Sequence, residues 1–184
     1  MNHWLSLKDF LSLEVMMIQC EVDGLQFEFP EHWSFSKYDD WAFYHNQFRK
    51  MWKGIKAVDI IALDPSLTFW LIEAKDFRRH RRTKPTSLPD EVARKVYDTL
   101  AAILPAKVNA SKSEEAEMAA KVARAQRIRV VFHMEQPLKP SKLFPRAIDP
   151  ADVQQKIRQL LHPIDPHPVV VETGDMRNLA WSVK

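Results

Sequence analysis

Val58-Asp59-Ile60-Ile61-Ala62-Leu63, then Asp64-Pro65-Ser66, then Leu67-Thr68-Phe69-Trp70-Leu71-Ile72-Glu73-Ala74-Lys75-Asp76-Phe77 is the stretch whose reading decides the fold. Both runs are apolar and β-branched, and the short turn between them predicts an antiparallel hairpin with strands over 55–63 and 67–77. Side chains alternate along a strand, so Phe69, Leu71, Glu73, Lys75 and Phe77 share one face while Trp70, Ile72 and Ala74 take the other. Both faces are mostly apolar, which makes the second strand central and covered on each side. Glu73 and Lys75 therefore stand where the pattern asks for hydrophobes, and Asp59 intrudes in the same way between Val58 and Ile60. Dehydrating an ionised group costs on the order of several kcal/mol, so such charges persist mainly when paired or bound to a metal.

Two carboxylates converging on one point suit a hard cation such as Mg2+, which keeps several waters and takes few protein ligands. A metal there polarises a phosphoryl oxygen and lowers the pKa of its own water. A lysine beside it can orient or deprotonate that water, or neutralise developing charge. From the residues alone, a structural ion pair without any metal remains open.

The two runs resemble the active-site hairpin of the PD-(D/E)XK nuclease superfamily, with Asp59 on one core strand and Glu73-Ala74-Lys75 on the next. The resemblance covers 55–77 strictly, and 36–133 with the flanking helices and a strand at 128–133. It implies an α/β, restriction-endonuclease-like three-layer core: a central mixed sheet flanked by helices. It implies Asp59, Glu73 and the Ala74 carbonyl as ligands of Mg2+, with Mn2+ as a substitute, and Lys75 as the catalytic lysine. The activity implied is a magnesium-dependent nuclease, a hydrolase of phosphodiester bonds in DNA, and a homodimer is compatible with it. The alternative is an inactive nucleic-acid-binding or assembly subunit of the same fold, and third comes a purely structural interaction protein. Three departures stand out. Only two strands can be placed between the first core helix and Glu73, that helix offers Asp39 and Asp40 instead of a glutamate, and no Gln-x-x-x-Tyr follows the lysine.

Outward from the hairpin, 4–17 reads as a helix and 18–29 as a hairpin turning at Asp23-Gly24 and ended by Pro30. Trp41, Tyr44, Phe48, Met51 and Trp52 recur at helical spacing, predicting a helix over 36–52 that Gly54 breaks. After the motif, Ser87-x-x-Asp90 opens a helix with Val92, Val96, Leu100, Ile103 and Leu104 as its buried stripe, stopped by Pro105. A helix over 111–126, a strand over 128–133, a loop over 137–150, a helix over 152–161 and closing strands at 169–171 and 179–183 complete the order. The reading is one domain over 1–184, with an appended helix and hairpin (1–30), a core (36–133) and a C-terminal helix and strands (150–184).

Arg78, Arg79, Arg81, Arg82 and Lys84 follow the motif directly and are read as phosphate contacts for nucleic acid. Asp90, Glu91, Arg94, Lys95 and Asp98 lie on the polar side of the helix that follows; some could approach the metal, but a solvent-facing ion-pair lattice is the default reading. His162 and His167 sit in a proline-held loop, and His133 is read as a hydrogen-bonded core residue. Trp33, Phe35, Tyr38, Trp41, Tyr44 and Phe48 read as core packing, not as a base-stacking platform. The 184 residues carry a net charge of +3, too mild to mark a nucleic-acid binder by itself. Three glycines leave no Gly-x-Gly-x-x-Gly turn or phosphate loop, and the lone Cys20 permits no internal disulfide. The absence of a signal peptide pattern or an apolar membrane run completes the expectation of a cytoplasmic protein.

Overall fold

A computed structural model describes residues 17–78, 82, 86–139, 141–143 and 148–184. Along the chain run β1 (Met17–Val22), β2 (Leu25–Pro30), β3 (Ser34–Lys37), α1 (Arg49–Met51), β4 (Ile60–Leu63), β5 (Thr68–Asp76), α2 (Leu88–Asn109), α3 (Ser113–Val122), β6 (Arg127–Glu135), α4 (Pro150–Leu161), β7 (Val169–Val171) and β8 (Ser182–Val183). The helix expected over 4–17 lies outside the described residues, apart from Met17, which opens β1.

The central sheet has five strands in the order β3-β4-β5-β6-β7. The hairpin of β4 and β5 is antiparallel as expected, and β3 joins it antiparallel (Ser36↔Ile61). β5, β6 and β7 are parallel, with Ala74 opposite His133 and Phe132 opposite Val170. A parallel neighbour requires a crossover, which α2 and α3 supply between β5 and β6, and α4 between β6 and β7. The protein is thus α/β, with a mixed sheet and helices packed upon it.

The two faces of β5 lead to two cores. Phe69 and Leu71 pack with Val92, Val96 and Ile103 of α2, Met118 of α3 and Ile157 of α4. Ile72 and Ala74 pack instead with Phe27 and Phe29 of β2, Trp33, Trp181 and Val183. A second sheet, β1-β2-β8, supplies this layer among the described residues. Its centre is aromatic: the Trp181 ring lies 5.6 Å from Phe29, 5.7 Å from Trp33 and 5.1 Å from Trp70. The β1–β2 hairpin turns as expected, Asp23 and Gly24 taking φ values of 52° and 77°. Among the described residues, no helix is long and apolar enough to cross a membrane.

Several expectations are corrected. The segment 36–52 is not one helix: Ser34–Lys37 is an edge strand, followed by a 3-10 turn at Tyr38–Asp40, a π turn at Tyr44–Phe48 and the single turn α1. Pairing with β4 satisfies the backbone at Ser36, and the Tyr38 N–H donates to the Asp59 carbonyl at 2.9 Å, so sheet bonds displace helical ones. This strand precedes the helical turns, so only β4 and β5 follow them up to Glu73. β4 begins at Ile60 and not at 55. α2 runs through Pro105 to Asn109, because Ala102, Ile103 and Ala106 are buried in the core and hold the last turns in place. Ser87 precedes α2, yet its side chain makes no capping bond.

The helical turns after Trp41 are anchored from outside. Glu115 on α3 is 4% exposed, and its two oxygens accept the Ala42 and Phe43 N–H groups at 2.7 and 3.0 Å. These are donors that a helix start leaves unpaired. Glu115→Ala should therefore destabilise the protein by about 2–4 kcal/mol in urea unfolding. The exposed neighbour change Glu114→Ala should stay within about 0.5 kcal/mol of wild type.

Candidate functional site

In the antiparallel register Ile60 lies opposite Ile72, which brings Asp59, one residue before β4, across from Glu73. Three bonds hold this approach. Val58 N–H donates to Thr99 Oγ1 at 3.1 Å, Tyr38 N–H to the Asp59 carbonyl at 2.9 Å, and Ala74 N–H to Asp59 Oδ2 at 2.7 Å. Asp59 is 5% exposed and Glu73 only 1%.

Two lysines enter this acid pair. Lys95 reaches down from α2, its Nζ 2.6 and 2.7 Å from the two Glu73 oxygens and 3.4 Å from Asp59 Oδ1. Lys75, from β5 itself, donates to the Ala74 carbonyl at 2.8 Å and lies 3.2 Å from Glu73 Oε1 and 3.9 Å from Asp59 Oδ2. The four groups form a compact, alternating set of charges under α2.

Burial pushes the Glu73 carboxyl up, and the like charge of Asp59 adds to it; the result, about 8, stands despite the pull of Lys95 and Lys75. For Lys75 and Lys95 burial works downward, but Glu73 and then Asp59 outweigh it, so both ammonium groups are held above their ordinary range. Asp39, in the 3-10 turn, is raised to about 6 by burial and then by Asp59. Its Oδ1 is buried without a hydrogen-bond partner among the described residues.

The structure thus brings Asp59, Glu73 and Lys75 to one place, with the Ala74 carbonyl beside them. It adds Lys95, which the sequence reading left in a solvent lattice. Lys95 lies three residues after Val92 and four before Thr99, both buried, so the rim of the buried stripe was the available signal. Mg2+ suits the donors as chemistry, two carboxylates and a carbonyl, but the Lys95 ammonium stands among them. No group of three or more acidic, histidine or cysteine side chains is arranged for a metal among the described residues.

The basic loop is divided. Arg79, Arg81 and Lys84 lie outside the described residues. Arg78 is clamped on Asp76, Nε to Oδ1 at 2.9 Å and Nη2 to Oδ2 at 2.7 Å. Arg82 is held by Glu91 at 3.0 Å. Both described arginines answer carboxylates of this chain. Elsewhere, Asp165 in the proline-held loop is buried and accepts the Val130 and His167 N–H groups, each at 2.8 Å. His133 is fully buried with Nε2 2.9 Å from Glu135. The half-buried Cys20 thiol is pushed up to about 11 by burial, the opposite of an activated nucleophile.

Over 86% of its length, the chain aligns with a cysteine–tRNA ligase. Identity to that protein, from Neisseria meningitidis serogroup A / serotype 4A, is 31%, and the chain spans 28% of the length of this curated relative. No family model matches the chain, and no solved structure does. The likeness overturns the expectation of a magnesium-dependent nuclease and hydrolase of DNA: the relative is a ligase of tRNA.

The raised carboxyl has a measurable consequence. Between pH 4.5, its ordinary value, and about 8, folded Glu73 holds a proton that the unfolded chain has released. Stability therefore falls as pH rises through that window, by up to ~1.4 kcal/mol per unit for one full proton. Glu73→Gln removes the titration, so the loss between pH 5 and 8 should shrink by about 1–3 kcal/mol in chemical unfolding. An unchanged slope would mean that Glu73 is ionised throughout.

Proposed function

We propose that this chain is a tRNA-binding module that serves a tRNA ligase. The observation that carries the proposal is the 31% identity to a cysteine–tRNA ligase across 86% of the chain. Because the chain spans 28% of that relative, ligation is assigned to the larger protein or assembly and tRNA binding to this part. For the fold we propose a restriction-endonuclease-like, PD-(D/E)XK-type core. The sheet order β3-β4-β5-β6-β7 and the meeting of Asp59 with Glu73 and Lys75 support that reading, with binding in place of cleavage.

The surface for phosphates lies at the start of β6. Arg124 and Arg127 are exposed there, beside an open groove of about 650 Å³ lined by Arg129, Asp165 and His167 among others. The Arg129 guanidinium lies 5.8 Å from the centre of the Trp70 ring and donates to the His167 carbonyl at 2.8 Å. That pre-set arginine forms the floor, and the two exposed ones are free to follow a ribose-phosphate backbone.

Fluorescence anisotropy with labelled tRNA at about 50–200 mM salt tests the reading. Saturable binding is expected, weakening steeply with salt. The double change Arg124→Glu and Arg127→Glu should weaken it roughly tenfold and lower the salt slope by about 2. No saturable tRNA binding, or equal affinity for duplex DNA of the same length, would refute it.

A further inference from the structure

We infer that the stretch from Arg49 to Lys56 binds unpaired nucleotides of RNA, one base stacking on Trp52 while the flanking cations hold the neighbouring phosphates. Arg49, Lys50, Lys53 and Lys56 place four cations around Met51 and Trp52, and no acidic residue occurs from Trp41 to Val58. All four are exposed. Arg78 and Arg82 are clamped by Asp76 and Glu91, but the side chains of these four meet no carboxylate among the described residues. Asp98, the acid beside this stretch, is taken up by the Arg94 guanidinium and the Lys56 N–H.

The ring is held out in water. Helical spacing would bury Trp52 with Phe48, but α1 stops at Met51, and Trp52 is 73% exposed, whereas Trp33, Trp41 and Trp181 are buried. Its backbone is extended (φ −151°, ψ 142°), and Gly54 turns the chain with a φ of 91° that other residues rarely adopt. Phe48 and Ile55 on either side pack into the core, so the projecting turn is anchored at both ends. A flat, exposed ring among unpaired cations is the arrangement that single strands need: every base offers a face to stack, and each phosphate a charge. In a duplex those faces are already stacked. Insertion into a membrane surface calls for a long amphipathic helix, and α1 is a single turn. The choice of RNA rests on the tRNA reading proposed above, whereas the site itself rests on the exposure and charge of this stretch.

Titration of the whole chain with an oligo(A) RNA of about 12 nucleotides, followed by tryptophan fluorescence, tests it against an RNA duplex of equal length. The single strand should bind more tightly than the duplex and quench the emission. Trp52→Ala should abolish the quench and weaken binding by about fivefold or more, and Trp52→Phe, which keeps a ring, should stay within about twofold of wild type. Lys50→Glu with Lys53→Glu should lower the salt slope by about 1.4, the value of two phosphate contacts on a single strand. Iodide reaches Trp52 before the buried tryptophans, so in wild type its quenching should fall once oligo(A) is bound, whatever the folding of the variants. Equal affinity for the duplex, unchanged binding by Trp52→Ala, or iodide quenching unaltered at saturation overturns the inference. Binding of phosphatidylserine vesicles through Trp52, with none of oligo(A), overturns it in favour of a membrane surface. Failure at Trp52 with tRNA still held through Arg124 and Arg127 sinks this site alone. Oligo(A) bound at Trp52 by a chain that ignores tRNA upholds the site and refutes the tRNA reading.

Discussion

Four ionisable groups meet beneath α2, and much of the surrounding architecture is constrained by the need to keep them together. Neither Asp59 nor Glu73 can be dehydrated alone without a cost that exceeds what a marginally stable domain can absorb. Lys95 meets that need from α2 and so ties the helix to β5 at a defined position. Asp59 meets it from the other side: its carboxylate takes the Ala74 N–H and joins the entry to β4 to the middle of β5. Moving α2 by one turn would leave both carboxylates facing a single lysine.

Three other buried acids, Glu115, Asp165 and Glu135, are held by backbone donors. Glu115 accepts two backbone N–H groups at the start of the helical turns, and Asp165 accepts two around the β6 entry. Glu135 accepts Thr173 N–H and its hydroxyl and meets His133; burial works against its charge, but these bonds outweigh burial and hold it down to about 2. Backbone donors cannot leave, so these acids staple the fold. Glu73 relies on the Lys95 and Lys75 ammonium groups, whereas the nearest partner of Asp59 is the Ala74 N–H at 2.7 Å.

The β4–β5 hairpin was legible because both strands are buried on both faces, and a dense apolar run punctuated by Asp64-Pro65-Ser66 has few other readings. The facing of Glu73 and Lys75 followed from the alternation alone. Strand β3 was hidden: Ser34–Lys37 spans only four residues, all half-buried, and the aromatic residues after them have helical spacing. Pro105 misled for a related reason, since its lost N–H matters less than the burial of Ala106 behind it. Lys95 was placed with solvent charges because a helical wheel shows which face a residue takes, but not what hangs over that face. The carboxylate partners of Arg78 and Arg82, Asp76 and Glu91, are visible only in the folded chain.

Local patterning, by itself, determined the strands of the central hairpin, the class of layered α/β packing, and the anomaly of three charges in apolar runs. These depend on periodicities of two and near four residues, which a chain carries before it folds. The folded arrangement alone decided that an antiparallel sheet covers the second face and that β3 precedes its helical turns. It also decided that a lysine twenty-two residues beyond Glu73 completes the charge set. Such pairings are settled by which distant surfaces dehydrate each other, and that free energy belongs to contacts between segments that no single segment encodes.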